Sequence, residues 1–134
     1  MVNDMLIDKS LLDVLLEQAK TTEKLRKNFD LRTSPDDNSQ RMLNAMIPGT
    51  VVPIHRHQQT TEVVICLSGR FDEVFYDDNG NETTRLRLCP TEGNYGCQVP
   101  QGMWHTVDVL EPSVIIEAKD GAFAPLEKED VMIL

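Results

Sequence analysis

From Gln40 onward the chain repeats one pattern: short alternating or β-branched runs, each closed by a turn signal. Successive side chains on an extended strand point to opposite faces, so runs like these bury an apolar face only by pairing into sheets. Gln40 to Ile47 sets Met42, Asn44 and Met46 on one face and Arg41, Leu43 and Ala45 on the other, and Pro48-Gly49 turns the chain. Val51 to His57 reads as a strand interrupted or edged by Pro53, Thr61 to Leu67 as the next, and Ser68-Gly69 as a turn. Arg70 to Tyr76 alternates, with Phe71, Glu73 and Phe75 against Asp72, Val74 and Tyr76. Asp77-Asp78-Asn79-Gly80 then predicts a hairpin with a type I′ turn. Glu82 to Leu88, Gly96 to Val99, Trp104 to Leu110 and, after a break at Pro112, Ser113 to Ala118 bring the count to about eight strands. Their even spacing predicts an all-β sandwich or barrel and excludes alternating βαβ units.

Ahead of the strands, Leu11, Leu12, Leu15, Leu16 and Ala19 recur at helical spacing. The helical segment is expected over 10–28, opened by Ser10 with Asp13 at capping-box spacing, with a second short turn running to Asn28. Met5 to Ile7 form a first strand or packing anchor, 29–39 a loop, 40–119 the β core, and 120–134 an acidic tail whose VMIL end adds an edge strand or covers part of the barrel. At 134 residues the whole is expected to be one domain.

The charge balance narrows the partners. With 22 acidic and 13 basic residues the net charge is −9, which argues against nucleic acid or an anionic membrane surface. The longest apolar run, Val63 to Leu67, is too short to span a bilayer. Cys66, Cys89 and Cys97 make an odd number with no close pair, so they fit a reducing compartment rather than a disulfide framework. MVNDMLIDKS has acidic residues where a signal peptide carries positive charge. A cytoplasmic protein is the expectation.

The candidate chemistry concentrates in Gly49 to Gly69, GTVVPIHRHQQTTEVVICLSG. His55 and His57 are two apart in an extended segment, so both imidazoles can enter one cavity. Glu62 opens the next run, at the edge of apolar residues where a carboxylate is costly without a partner. His105, in PQGMWH, is the only other histidine. Imidazoles with a carboxylate suit one divalent transition metal ion, Zn²⁺, Fe²⁺, Mn²⁺, Ni²⁺ or Cu²⁺. Two histidines at this spacing alone fit the surface of a polar edge strand better than a metal site; the glutamate, the bounding glycines and His105 after its turn reverse that balance.

These residues resemble the cupin superfamily. Its first motif, G-x5-H-x-H-x3–4-E-x6-G, is matched by Gly49, His55, His57, Glu62 and Gly69. Pro100, Gly102 and His105 match the centre of the second, G-x5-P-x-G-x2-H-x3-N, while Asn94 and Val109 stand where its outer glycine and asparagine would be. The resemblance implies a double-stranded β-helix, or jelly-roll barrel, with an N-terminal helix, and a metal held by His55, His57, Glu62 and His105. It also implies a homodimer. A narrower likeness, over the helix, Asn28 to Leu31 and QRMLNAMIPGT, is to the WbuC-type small cupins, some encoded with surface-polysaccharide genes.

Other residues are weighed more lightly. Asn44 faces the cavity or makes a local strand hydrogen bond; Arg41 holds an anionic group or forms a surface ion pair. Gln98 could rim the barrel, like Phe75 and Tyr76. Arg56 should point away from the metal, Trp104 should pack on the helix or a partner subunit, and Cys66 and Cys97 should be small core residues. Two functions follow. One is a metalloenzyme acting on a small molecule such as a sugar or nucleotide-sugar, by isomerisation, epimerisation or iron-dependent oxygenation. The other is a non-catalytic metal-dependent sensor or sugar-binding module. With all three histidines used as ligands, a proton-transfer group must come from elsewhere.

Overall fold

The computed structural model describes residues 6–133. One helix, α1 (Lys9–Lys20), precedes six strands: β1 (Arg26–Asp30), β2 (Ser39–Met46), β3 (Glu62–Tyr76), β4 (Glu82–Leu88), β5 (Gly96–Val99) and β6 (Trp104–Asp120). All pairings are antiparallel, in the order β1-β2-β6-β3-β4, with β5 on the free side of the first half of β3. The interior holds Met46, Val64, Cys66, Phe71, Phe75, Leu88, Val99, Val109 and Ile115. The opposite face of β2, with Leu43 and Ala45, packs with Val114 against Leu15 and Ala19 of α1. The period-two reading of Gln40 to Ile47 therefore separates two cores: Met46 faces the interior and Leu43 the helix.

Several expectations are corrected. Asp8, not Ser10, caps α1, accepting a hydrogen bond from Leu11 N at 3.0 Å. The helix does not reach Asn28. Thr22 Oγ1 donates to Ala19 O at 2.9 Å and accepts from Arg26 N at 3.1 Å, Leu25 takes a positive φ of 58°, and the chain leaves as strand β1. Leu6 and Ile7 form no strand, and Met5 lies outside the described residues. Val51 to His57 is not a regular strand; only His55 bridges a neighbour, as suits a segment in which Pro53 has no N–H to give a ladder.

The predicted turn at Ser68-Gly69 and the predicted break at Pro112 are two sides of one kink. β3 and β6 both run through it, and their register shifts between Cys66 and Phe71. Gly69 has φ +100°, and a Cβ there would lie 2.3 Å from Pro112 O and 2.4 Å from Ser113 Oγ. Ser113 Oγ accepts from Arg70 N at 3.0 Å and donates to Glu111 O at 2.7 Å, so the kink satisfies its own backbone. The hairpin after β3 closes with Asp77 N donating to Asn81 O at 2.9 Å. Within Asp77 to Gly80 only Gly80 has a positive φ, so the turn is not type I′, which needs two.

The tail returns to the barrel. After a short 3₁₀ turn at Lys128–Asp130, Val131 bridges His55 and Met132 N donates to Ile54 O at 2.8 Å.

Candidate metal centre

The three histidines converge although two of them lie outside any regular strand. His55 N donates to His105 O at 3.0 Å and His105 N to His55 O at 2.8 Å, which places the two residues directly opposite each other. His57 is anchored by Gly102 N, which donates to its carbonyl at 2.8 Å. Ring centroids are 4.3 Å apart for His55 and His105, 5.1 Å for His55 and His57, and 5.6 Å for His57 and His105. One nitrogen from each ring lies within 4.8 Å of the other two, the spacing of a group that could hold one metal ion.

The rings are also set in a ligating state. His55 Nδ1 donates to Pro53 O at 2.8 Å and His105 Nδ1 to Met103 O at 2.9 Å. A carbonyl only accepts, so the proton sits on Nδ1 and the Nε2 lone pair is free to bind. Burial, with the neighbouring His105 and Lys119, lowers His55 to about 4. Burial, then Lys119 and the other two rings, lowers His57 to about 3, and burial lowers His105 as well. All three are neutral near pH 7, as metal ligation requires.

Glu62 is close but shared. Its Oε1 lies 3.7 Å from His105 Nε2, while Oε2 is 3.1 Å from Lys119 Nζ, its directly cross-strand partner. It does not close into the three-histidine group at metal-ligand spacing. Its carboxyl is raised by burial, with Lys119 opposing.

These side chains line one cavity of about 110 Å³, whose wall also includes Asn44, Glu73, Glu117 and Lys119. Glu73 is 1% exposed and sits at an interior position between Phe71 and Phe75; burial and then Glu62 and Glu117 push its carboxyl well up. Glu117 is pushed up to about 7 by burial and by Glu62, with Lys119 and Asn44 opposing. Asn44 Nδ2 donates to Glu117 Oε1 at 3.5 Å. Glu73, Glu117 and Lys119 escaped the motif reading. Their signal was periodicity: Glu73 alternates with core phenylalanines, and Glu117 and Lys119 continue the inward row begun by Ile115.

Asn44 thus lines the cavity, and the other two lightly weighed residues do not. Arg41 points away and pairs with Asp37 at 3.0 Å. Gln98 is exposed on β5. Arg56 pairs with Asp130 at 3.3 Å and covers the Trp104 ring at 4.5 Å; Trp104 Nε1 donates to Asp78 Oδ1 at 3.1 Å, so this tryptophan packs under an arginine and not on the helix. Cys66 is buried in the interior and Cys97 packs against it.

A family model described as a domain of unknown function, DUF6016, matches residues 7–88. No curated protein matches the chain. Among solved structures, the chain is similar to the capsular polysaccharide assembling protein CapF from Staphylococcus aureus, at 22% identity and TM-score 0.61, covering 73% of this chain and 27% of CapF. KdgF from Halomonas sp. aligns at 17% identity and TM-score 0.60 over 77% of this chain and 85% of its own. The conserved SPY1581 protein of unknown function from Streptococcus pyogenes aligns at 12% identity and TM-score 0.64 over 92% and 93%. The chain spans about a quarter to a third of the CapF structures it matches. At these identities the likeness shows the fold, a cupin β-barrel with an N-terminal helix. Among the described residues no helix is long and apolar enough to cross a membrane.

Proposed function

We infer, for a chain that belongs to the DUF6016 family and carries the cupin fold, a metal-binding protein whose cavity acts on a small molecule. The observation that carries this reading is the convergence of three neutral imidazoles, two with the tautomer fixed by backbone carbonyls, on a cavity that also holds ionisable carboxyls. His55, His57 and His105 would hold the ion, with Glu62 completing the set on release of one oxygen from Lys119. A bound divalent ion would supply Lewis acidity toward an oxygen of the ligand, and the donor set suits iron, manganese, zinc or nickel.

The chain's own residues supply the rest. Glu117, poised near neutrality, can take up and release a proton, filling the acid/base role that no histidine is left to play. Lys119 pairs with Glu62 and opposes the burial that raises its carboxyl, and Asn44 hydrogen-bonds Glu117. Met46, Val64 and Ile115 give the cavity an apolar wall behind them. These groups favour a metalloenzyme, an isomerase, epimerase or oxygenase, over a metal-dependent sensor or sugar-binding module.

A sugar or nucleotide-sugar of surface-polysaccharide biosynthesis is the proposed substrate. Its support is the WbuC-type likeness in Asn28 to Leu31 and Gln40 to Thr50, together with CapF among the fold neighbours. A cytoplasmic homodimer completes the proposal. Metal analysis of protein purified without added ions, followed by turnover screens, tests it. About one ion per chain, lost in His57→Ala, is expected; unchanged metal content in that variant would remove the site, and binding of sugars without turnover would favour the sensor.

A further inference from the structure

Among the described residues, Lys119 carries the only ammonium or guanidinium on the cavity wall. It closes the inward row of β6 that runs from Ile115 through Glu117, one residue before the strand ends at Asp120. Ile115 is 1% exposed in the interior, whereas the Lys119 side chain is 17% exposed. The row therefore climbs from the core toward solvent, with the ammonium at its outer end. A lysine ammonium has three donors. Among the described residues its one ion-pair partner is Glu62, whose Oε2 at 3.1 Å occupies one of them. Two donors remain for whatever enters the cavity, and the proposed turn of Glu62 toward the ion frees the third.

Glu62 shows both what the ammonium takes and how far it stands from the histidines. One of its oxygens is on Lys119 and the other is 3.7 Å from His105 Nε2, so one carboxylate spans most of the distance between the two. A divalent ion at the three histidines adds a second positive centre to the same space, and Glu62 supplies one negative charge against the pair. Glu73 lies deeper, between Phe71 and Phe75, and burial pushes its carboxyl and that of Glu117 toward the protonated form. The outer part of the loaded cavity is thus built to receive an anion.

We propose that Lys119 Nζ anchors a carboxylate of the ligand, and that the cavity takes a compact carboxylic acid whose neighbouring carbon turns a hydroxyl or carbonyl oxygen toward the three histidines. A carboxylate accepts the free ammonium donors in charge-assisted hydrogen bonds, which are roughly twice as strong as those of a neutral hydroxyl. The short distance from Lys119 to the histidines explains why the second oxygen belongs on the next carbon and not farther along the chain. The space agrees. A cavity of about 150 Å³ admits benzene, and this one, at about 110 Å³, takes an acid of fewer heavy atoms or the acidic end of a larger molecule. This inference rests on the reading of the cavity as a metal-dependent ligand site and narrows its ligand to carboxylic acids, a sugar acid being the form that also satisfies the proposed pathway.

The test is calorimetric titration of glycolate, acetate and ethylene glycol into zinc-loaded and metal-free protein, with zinc content measured separately. Acetate lacks the second oxygen function and ethylene glycol lacks the carboxylate. Glycolate should bind the zinc-loaded protein at least about tenfold more tightly than either, and Lys119→Met should weaken it roughly 10- to 100-fold with zinc content unchanged. Equal or tighter binding of acetate or ethylene glycol overturns the proposal. So does unchanged glycolate binding in Lys119→Met, which would mean the acid meets only the zinc. No glycolate binding to protein with stoichiometric zinc overturns the anchor and leaves the metal reading standing. Lys119-dependent glycolate binding in a protein that fails to take up zinc supports the anchor and removes the metal. Should Lys119→Met not fold by circular dichroism, Lys119→Gln, which keeps an N–H for Glu62 without the charge, carries the same expectation.

Discussion

Replacing Glu73 by methionine should stabilise the metal-free protein. The side chain is 1% exposed, lies between Phe71 and Phe75 in the interior, and leaves Oε2 without a partner. A buried polar atom in that state costs about 1–3 kcal/mol, and methionine has a similar shape without the polar atoms. The gain should therefore be about 1–3 kcal/mol at pH 8, or very roughly 3–5 °C in Tm per kcal/mol for a chain of this length. It should also depend on pH in one direction. The folded carboxyl is raised above the ordinary 4.5 by burial and by Glu62 and Glu117. Below about pH 4.5 the group is protonated in both folded and unfolded chains, and its contribution is fully present. As pH rises the unfolded chain ionises first, so the wild type loses stability while the variant does not. Urea denaturation followed by the single tryptophan, Trp104, at pH 4.5 and pH 8 measures both quantities. A variant no more stable than wild type at pH 8, or a difference equal at the two pH values, would refute the description of Glu73 as a buried carboxyl lacking a partner.

Other outcomes follow from the same geometry. Lys119→Met removes the 3.1 Å partner of the buried Glu62 and should lower metal-free stability by about 1–3 kcal/mol, with added zinc restoring more stability than in wild type because Glu62 is then free to ligate; thermal melts with and without zinc check it. Gly69→Ala forces a Cβ against Pro112 O and Ser113 Oγ at a φ of +100° and should cost more than about 2 kcal/mol, read as a lower urea midpoint. His55 sits at about 4 when folded against 6.5 when free, so the unfolded chain binds the extra proton between those values, and the stability His55 contributes is lost as pH falls through that window. His55→Gln should flatten the acid limb between pH 7 and pH 4.5, measured by denaturant midpoints in metal-free protein.

Much of the frame was legible because alternation is a strong signal. Glu82 to Leu88 and Gly96 to Val99 are strands at the residues where the sequence ends them, bounded by Gly80, Pro90 and Pro100. The convergence of His55, His57 and His105 was legible because residues two apart share a face and the third lies in a matching turn. Continuity was harder to see. Ser68-Gly69 and Pro112 carry turn chemistry, yet each bends a strand that continues, because the other strand supplies a matching bulge; that match is invisible to a local window. Thr22 and Leu25 reverse the chain through side-chain hydrogen bonds and a left-handed backbone that a leucine does not advertise. Lys119 was passed over because a lysine near a predicted strand end reads as solvent-facing, and only the cross-strand register sets it against Glu62.

The bridge between Val131 and His55 ties together two events that would otherwise be independent. His55 is held on one edge by His105 and on the other by the tail, with Asp130 O accepting from Arg56 N at 3.0 Å and the Asp130 side chain gripping Gln58. No tail side chain has to reach the metal for the tail to influence it. Docking of Lys128–Met132 narrows the backbone freedom of the segment that presents His55 and His57, so an ion held by the proposed site and the docked tail would favour each other by the same factor. A protease cutting the exposed stretch at 121–127 would then act as a gauge of metal occupancy, slower on the loaded protein than on the metal-free one, with no ligand residue near the cut.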